Sequence, residues 1–185
     1  MKNVFLLSLL TSGLVVGSFA YADSQNASIG YAQSKVEDFK DIKGVNLKYR
    51  YEWDEYPVGV IGSVTYMKGD GNLSDKAAKA NSLTKHKGDV KYTSFLVGPA
   101  YRVHPQVSLY GLIGLAYTDA KVDYEQKDGK GNTYRKKNAF AYGAGVEINP
   151  IDDFVINLGY EGSSFKLERA TRSINGFNIG VGYRF

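Results

Sequence analysis

The sequence contains no cysteine and, beyond its N-terminal region, no long hydrophobic run. The absence of cysteine excludes disulfide bonds and thiolate metal ligands. The absence of a second long apolar segment excludes a bundle of membrane-spanning helices, because each such helix needs about 20 predominantly apolar residues. Whatever stabilises the mature chain therefore depends neither on sulfur nor on transmembrane helices.

The N-terminal region has the pattern of a cleaved secretory signal peptide. Lys2 supplies a positive charge, residues 4–16 are mostly apolar, and Ala20 and Ala22 flank Tyr21 in a small-x-small cleavage site. The apolar stretch is too short for a typical membrane-spanning helix. We predict that residues 1–22 are removed and that residues 23–185 form one exported domain.

Alternation of apolar and polar residues dominates the predicted mature chain. In residues 44–52 one parity is apolar or aromatic, while the other consists of Asn46, Lys48, Arg50 and Glu52. A period of two is typical of a β-strand with one apolar face. Similar patterns predict eight strands, at residues 27–33, 44–52, 58–66, 92–102, 107–118, 140–147, 154–161 and 177–185.

The connections between the predicted strands fall into two alternating classes. Three are short, at residues 53–57, 103–106 and 149–153, and four are longer and polar, at residues 35–43, 68–91, 119–137 and 163–173. Short periplasmic turns, long extracellular loops and an even strand number are typical of outer-membrane barrels. We predict an all-β fold, an eight-stranded antiparallel transmembrane up-and-down β-barrel. A soluble lipocalin-like barrel is the alternative, but its exterior would carry the small, glycine-rich parity.

Every charged residue within the predicted strands lies on the parity expected to face the lumen. These residues are Lys48, Arg50, Glu52, Arg102, Glu147, Glu161 and Arg184. A lysine or arginine on the lipid face near the bilayer midplane would cost about 2–4 kcal/mol. Side chains fill the lumen of an eight-stranded barrel. We interpret the seven residues as a structural network of paired charges, not as a channel or a catalytic site.

The sequence predicts no catalytic residue, no metal site and no cofactor. Only two histidines are present, His86 and His104, and the predicted topology puts them on opposite sides of the membrane. Acid-base catalysis would need a histidine close to a second catalytic group, such as a serine or a carboxylate. A carboxylate pair at the outer rim is conceivable, for example Asp119 and Asp123, but these residues have the character of solvated loop charges. We therefore expect no enzymatic activity.

The predicted extracellular loops are rich in lysine. The residues that we consider candidates for a host-interaction surface are Lys76, Lys79, Lys85, Lys87, Lys127, Lys130, Arg135 and Lys136. A positive rim would attract sulfated glycans, acidic host proteins or the phosphates of lipopolysaccharide. The alternative is that these lysines only keep the loops soluble. Aromatic residues are too sparse among them to predict nucleic-acid binding.

The last predicted strand ends with Tyr183 and Phe185 on its apolar parity. This ending is similar to the terminal signature that the barrel assembly machinery of the outer membrane recognises. The simpler interpretation is an ordinary last amphipathic strand. Both interpretations predict the same compartment.

Several segments resemble one family of bacterial proteins. They include the motifs GYAQS at residues 30–34, GVNLKYRYE at 44–52, GPAYR at 98–102 and GVGYRF at 180–185. They are similar to the Ail/Lom/PagC/OmpX family of enterobacterial outer-membrane proteins. The PagC branch is the most similar, through residues 31–40, 159–163 and 174–185.

The resemblance implies a monomeric barrel in the Gram-negative outer membrane, in contact with lipid and lipopolysaccharide. It also implies that the extracellular loops act in attachment and invasion, complement resistance or survival inside macrophages. Host extracellular-matrix or complement-regulator proteins are the partners that such functions require. The alternative is a structural protein that maintains outer-membrane integrity through lipopolysaccharide.

Overall fold

The computed structural model describes residues 24–36, 41–53, 55–72, 85–126, 129–167 and 170–185. The strands are β1 (Ser24–Val36), β2 (Ile42–Glu52), β3 (Val58–Asn72), β4 (Lys85–His104), β5 (Val107–Gln126), β6 (Gly129–Ile151), β7 (Phe154–Leu167) and β8 (Ala170–Arg184). The predicted signal peptide, residues 1–22, lies outside the described residues, and its removal stays a prediction. Within those ranges, no helix is long and apolar enough to cross a membrane.

The eight strands close into an antiparallel barrel in which each strand pairs with its sequence neighbours and β8 pairs with β1. At this closing seam Gly30 stands opposite Gly180. A Cβ atom on Gly30 would lie only 2.4 Å from the carbonyl oxygen of Ile179. The missing side chain therefore lets the first and last strands approach. The prediction of an eight-stranded up-and-down barrel is confirmed.

Alternate side chains point to opposite sides of the wall, as the alternation predicted. The outward face is a band of exposed apolar residues, with Ile113 of β5 61% exposed at its middle. Aromatic residues border this band at both ends, which is typical of membrane interfaces. Toward the extracellular end they include Tyr31, Tyr66, Tyr117, Tyr142 and Tyr160, and toward the periplasmic end Trp53, Tyr56, Tyr101, Phe154 and Tyr183.

Three strands are much longer than a membrane requires. β4 and β5 have 20 residues each and β6 has 23, whereas about 9–11 residues suffice to cross a bilayer. Their outer parts continue the wall of the barrel and, with the end of β3, form what we call the projecting sheet. The predicted loops at 68–91 and 119–137 were therefore too wide, because most of these residues belong to strands.

Candidate functional site

The periplasmic half of the lumen contains a network of buried ion pairs. Arg50 is completely buried. Its Nη2 donates to Oε2 of Glu52 at 2.6 Å, and its Nη1 donates to Oε2 of Glu147 at 3.0 Å. Nη2 of Arg102 also donates to Oε2 of Glu52, at 2.6 Å. One arginine thus connects carboxylates from two sides of the barrel, and the predicted inward orientation of these residues is confirmed.

Two further charges in the lumen are stabilised by neutral groups instead. Nζ of Lys48 donates to Oδ1 of Asn46 and to Oδ1 of Asn178. Glu161 accepts hydrogen bonds from the Tyr92 hydroxyl at 2.7 Å and from Oγ1 of Thr65 at 2.8 Å. Among the described residues, neither Lys48 nor Glu161 has an ion pair within 4.0 Å. Direct ion pairs thus involve Arg50 and Arg102 but, among the described residues, not Lys48, Glu161 or Arg184, so the expectation of paired charges holds only in part.

Apolar side chains fill the lumen toward its extracellular end. They are Ile42, Met67, Val90 and Ile174, which are at most 7% exposed, together with the ring of Tyr92. The alternation did not reveal this layer, because Ile42, Met67, Val90 and Ile174 lie outside the strands that it predicted. The described side chains thus close the lumen on the outer side and leave its polar network facing the periplasm.

The outer surface carries a row of lysines just above the aromatic border. Lys43 of β2 is the register partner of Lys68 of β3, which in turn is the partner of Lys91 of β4. All three side chains are exposed, and directly opposite residues have Cβ atoms about 5 Å apart. We call Lys43, Lys68 and Lys91 the lysine row. Sequence reasoning placed them in loops and missed the row, because only the strand register brings them together.

The lysine row continues with mixed charge. Lys91 stands opposite Asp119 of β5, which stands opposite Lys136 of β6. Both Asp119 and Lys136 are exposed. Nζ of Lys68 also lies 3.4 Å from Oδ1 of Asp70, and both side chains are about half exposed. Lysines still outnumber aspartates along this part of the surface. Like charges directly opposite each other are unfavourable unless a counter-charge is near.

The predicted host-interaction residues lie at this same end of the barrel. Lys85 and Lys87 belong to β4, and Lys130, Arg135 and Lys136 belong to β6, so these five are strand residues and not loop residues. Lys76, Lys79 and Lys127 lie outside the described residues. The five described residues therefore lie on β4 and β6, on either side of β5, and their role stays a prediction.

The C-terminal aromatic residues lie on the lipid-facing side of β8. Tyr183 is 57% exposed and Phe185 is 54% exposed. Their rings stack with centroids 6.4 Å apart and an interplanar angle of 15°. This geometry leaves both side chains accessible along the outer wall. A role as an assembly signal stays a prediction.

The two histidines stand at opposite ends of β4. His86 and His104 are 18 positions apart in one strand, which corresponds to about 60 Å at a rise of about 3.3 Å per residue. They cannot act on the same group. In the part of the chain that the structure describes, no group of three or more His, Asp or Glu side chains is arranged to hold a metal ion.

Comparison with known proteins agrees with this architecture. Residues 6–185 match the family model described as outer membrane protein beta-barrel domain. The chain is 44% identical to virulence membrane protein PagC of Salmonella typhimurium and 39% identical to the attachment invasion locus protein of Yersinia enterocolitica, each covering both chains completely. A crystal structure of Ail, the attachment invasion locus protein of Yersinia pestis, in complex with the heparin analogue sucrose octasulfate is similar with a TM-score of 0.68. That comparison has 36% identity and covers 88% of this chain and 99% of the other.

Proposed function

Because the chain belongs to the Ail/Lom/PagC/OmpX family of outer-membrane proteins, we propose that it contacts the host through the extracellular end of its barrel. The lysine row, with Lys136 two strands beyond Lys91, binds polyanions such as sulfated glycans at that end. The observation that carries this proposal is the exposure of three register-matched lysines on adjacent strands. The relatives named for virulence and for attachment and invasion support a role in host contact.

The spacing of the lysine row suits a polymer with repeated negative charges. Neighbouring strands are about 4.8 Å apart, so the three ammonium groups can reach successive sulfate or phosphate groups. An anion bound there would relieve the repulsion between adjacent lysines. The related Ail protein of Yersinia pestis was crystallised with a sulfated heparin analogue, which supports the same ligand class for this chain.

The edge of the projecting sheet supports a second kind of contact, with a host protein. Pairing between β6 and β7 extends only from residues 151 and 154 to residues 140 and 164. Among the described residues, positions 129–139 of β6 therefore have a strand partner on the β5 side alone. Unpaired backbone groups at an edge can accept an added strand from a partner protein. Extracellular-matrix or complement-regulator proteins are the host partners that we propose for this edge.

A binding measurement with two matched variants tests the polyanion surface. We expect the triple variant Lys43→Gln, Lys68→Gln and Lys91→Gln to bind sucrose octasulfate about 10–100-fold more weakly than the wild type in lipid nanodiscs. Each exposed contact contributes roughly 0.5–1 kcal/mol, and 1.4 kcal/mol is tenfold. The control variant, with Lys35, Lys137 and Lys166 replaced by glutamine, removes equal charge from scattered positions. Equal binding by the two triple variants would contradict the proposal.

An adhesion assay distinguishes host glycans from lipopolysaccharide as the polyanion. A non-adherent laboratory strain that expresses the protein should attach to cultured epithelial cells, and heparinase treatment of those cells or the lysine-row variant should reduce attachment. In the alternative function, attachment is unchanged in the lysine-row variant, whereas outer-membrane permeability to large antibiotics increases. That result would assign the row to lipopolysaccharide phosphates and reject the role in host attachment.

A further inference from the structure

The periplasmic mouth of the lumen contains a polar pocket. Its volume is about 260 Å³, and its walls include Ser24, Trp53, Tyr56, Arg102 and Arg184. This volume is far larger than one water molecule needs and somewhat smaller than a typical drug-sized site. Two guanidinium groups thus share one small cavity at the end of the barrel opposite to the lysine row.

The hydrogen-bond donors of these arginines are only partly used. Nη2 of Arg184 donates to Oγ of Ser24 at 2.7 Å. No carboxylate among the described residues forms an ion pair with Arg184 within 4.0 Å. Nε of Arg102 is buried and has no hydrogen-bond partner in the described part of the chain. Its Nη2 shares Oε2 of Glu52 with Arg50, so this carboxylate is already occupied by two arginines.

More unpaired groups lie beside the mouth. Asn26 of β1 stands opposite Arg50 on one side and Arg184 on the other. Asn26 is 3% exposed, and neither atom of its side-chain amide has a hydrogen-bond partner among the described residues. Nε of the fully buried Arg50 also has no hydrogen-bond partner among the described residues. Such buried groups ordinarily find a partner, because a buried donor or acceptor without one loses its hydrogen bonds to water and gains none in return.

The charge balance of the lumen points the same way. The seven inward residues comprise four basic and three acidic groups. Among the described residues Arg184 forms no ion pair within 4.0 Å, and Glu52 and Asp152 act on it only at longer range. Two carboxylates, Glu52 and Glu55, also line the pocket. Glu52 is held by Arg50 and Arg102, and Glu55 is exposed, so solvent and salt weaken its repulsion of an anion. The two carboxylates balance the two arginines in number, but neither forms an ion pair with Arg184 within 4.0 Å.

We propose that the periplasmic mouth binds a phosphate oxyanion between the guanidinium groups of Arg102 and Arg184. A phosphate presents several oxygens and can accept from both planar guanidinium groups at once, which a single carboxylate does less well. Trp53 and Tyr56 stand at the aromatic border of the membrane, where headgroups lie. The phosphate therefore comes either from the periplasmic solution or from an anionic phospholipid of the inner leaflet.

Trp53 is the only tryptophan in the sequence and lines the pocket, so its fluorescence reports on occupancy. The experiment titrates inorganic phosphate into the folded barrel in dodecyl maltoside micelles, at constant ionic strength maintained with chloride. A parallel titration adds short-chain phosphatidylglycerol, with short-chain phosphatidylcholine as its uncharged reference. We expect a saturable change in Trp53 fluorescence in at least one of the two anionic titrations, and the responding titration identifies the source.

Three variants make the test specific. Arg184→Gln should raise the apparent dissociation constant of the anion at least about tenfold, because it removes a charge-assisted hydrogen bond of about 1.5–3 kcal/mol. Glu55→Gln should strengthen the response, because it removes a negative charge from the pocket wall. Lys35→Gln removes a charge at the opposite end and should leave the response unchanged. Heat-dependent gel mobility checks that each variant is folded.

Two results would overturn the proposal. One is the absence of a saturable response to both inorganic phosphate and phosphatidylglycerol. The other is a response of equal strength in the wild type, Arg184→Gln and Lys35→Gln, because it would then not depend on the mouth. Neither result affects the proposed polyanion surface, which lies at the other end of the barrel and is measured with a different ligand.

Discussion

Replacement of Arg50 by methionine should destabilise the barrel strongly. Arg50 is completely buried and donates to both Glu52 and Glu147. Methionine keeps an unbranched side chain of similar length but removes the charge. Glu52 would retain Arg102, whereas Glu147, 1% exposed, would retain one hydrogen-bond donor among the described residues, the amide of Asn157 at 3.1 Å. Because breaking a buried ion pair typically costs about 3–5 kcal/mol, we expect a loss of about that size.

The free energy of unfolding can be measured by urea titration of the barrel in lipid vesicles, with heat-dependent gel mobility as the readout of the folded fraction. Lys68→Met is the matched control. Like Arg50→Met, it replaces the basic partner of an ion pair with methionine, but Lys68 and Asp70 are 49% and 55% exposed. An exposed pair contributes about 0–1 kcal/mol, so this control should unfold almost like the wild type.

A second substitution identifies the source of the loss. In the Arg50→Met background, Glu147→Gln removes the uncompensated carboxylate, and we expect it to restore about 1–3 kcal/mol. A loss below about 1 kcal/mol for Arg50→Met, similar to the control, would refute the reasoning. It would mean that water reaches the lumen well enough to solvate Glu147 without its arginine.

Two further pairs of substitutions test the wall of the barrel. Ile113→Arg places a charge at the middle of the exposed apolar band and should cost about 2–4 kcal/mol, whereas Leu109→Arg near the periplasmic border should cost about 0–1 kcal/mol, both measured by urea titration in vesicles. Equal losses would contradict the membrane position of the band. Gly30→Ala should lower the folded fraction after refolding, because its Cβ would meet the backbone of β8 at 2.4 Å. Gly62→Ala, with its nearest atoms at 4.0 Å, should not, and indistinguishable refolding of the two variants would reject this account of the seam.

Within the membrane the sequence predicts the structure well, because one face of each strand meets lipid. A single charged residue on that face is costly, so the positions of Lys48 and Arg50 already define which parity faces inward. Outside the membrane both faces of a sheet meet water, and no such constraint remains. The segments at 68–91 and 119–137 therefore had the composition of loops although β4, β5 and β6 run through them.

The candidate sites could not be predicted from the alternation of apolar and polar residues, because they depend on the register between strands. Lys43, Lys68 and Lys91 are far apart in sequence, and only the register between β2, β3 and β4 makes them neighbours. The pocket at the mouth likewise combines Ser24 of the first strand with Arg184 of the last strand. Sequence patterns specify which side of a strand faces inward, but they do not specify how far one strand is shifted against the next.

The continuity of β5 and β6 has a mechanical consequence. Their register runs without a break from Val107 opposite Ile148 to Gln126 opposite Gly129. A force that pulls the tip of this hairpin away from the cell acts along the strands, whereas their hydrogen bonds are perpendicular to the strands. Because the force pulls both strands of the hairpin in the same direction, it loads in shear the bonds that join β5 to β4 and β6 to β7, and these bonds share the tension instead of opening one after another. A bacterium tethered through this hairpin would transmit drag directly to the membrane-embedded wall, without a flexible joint that could yield first.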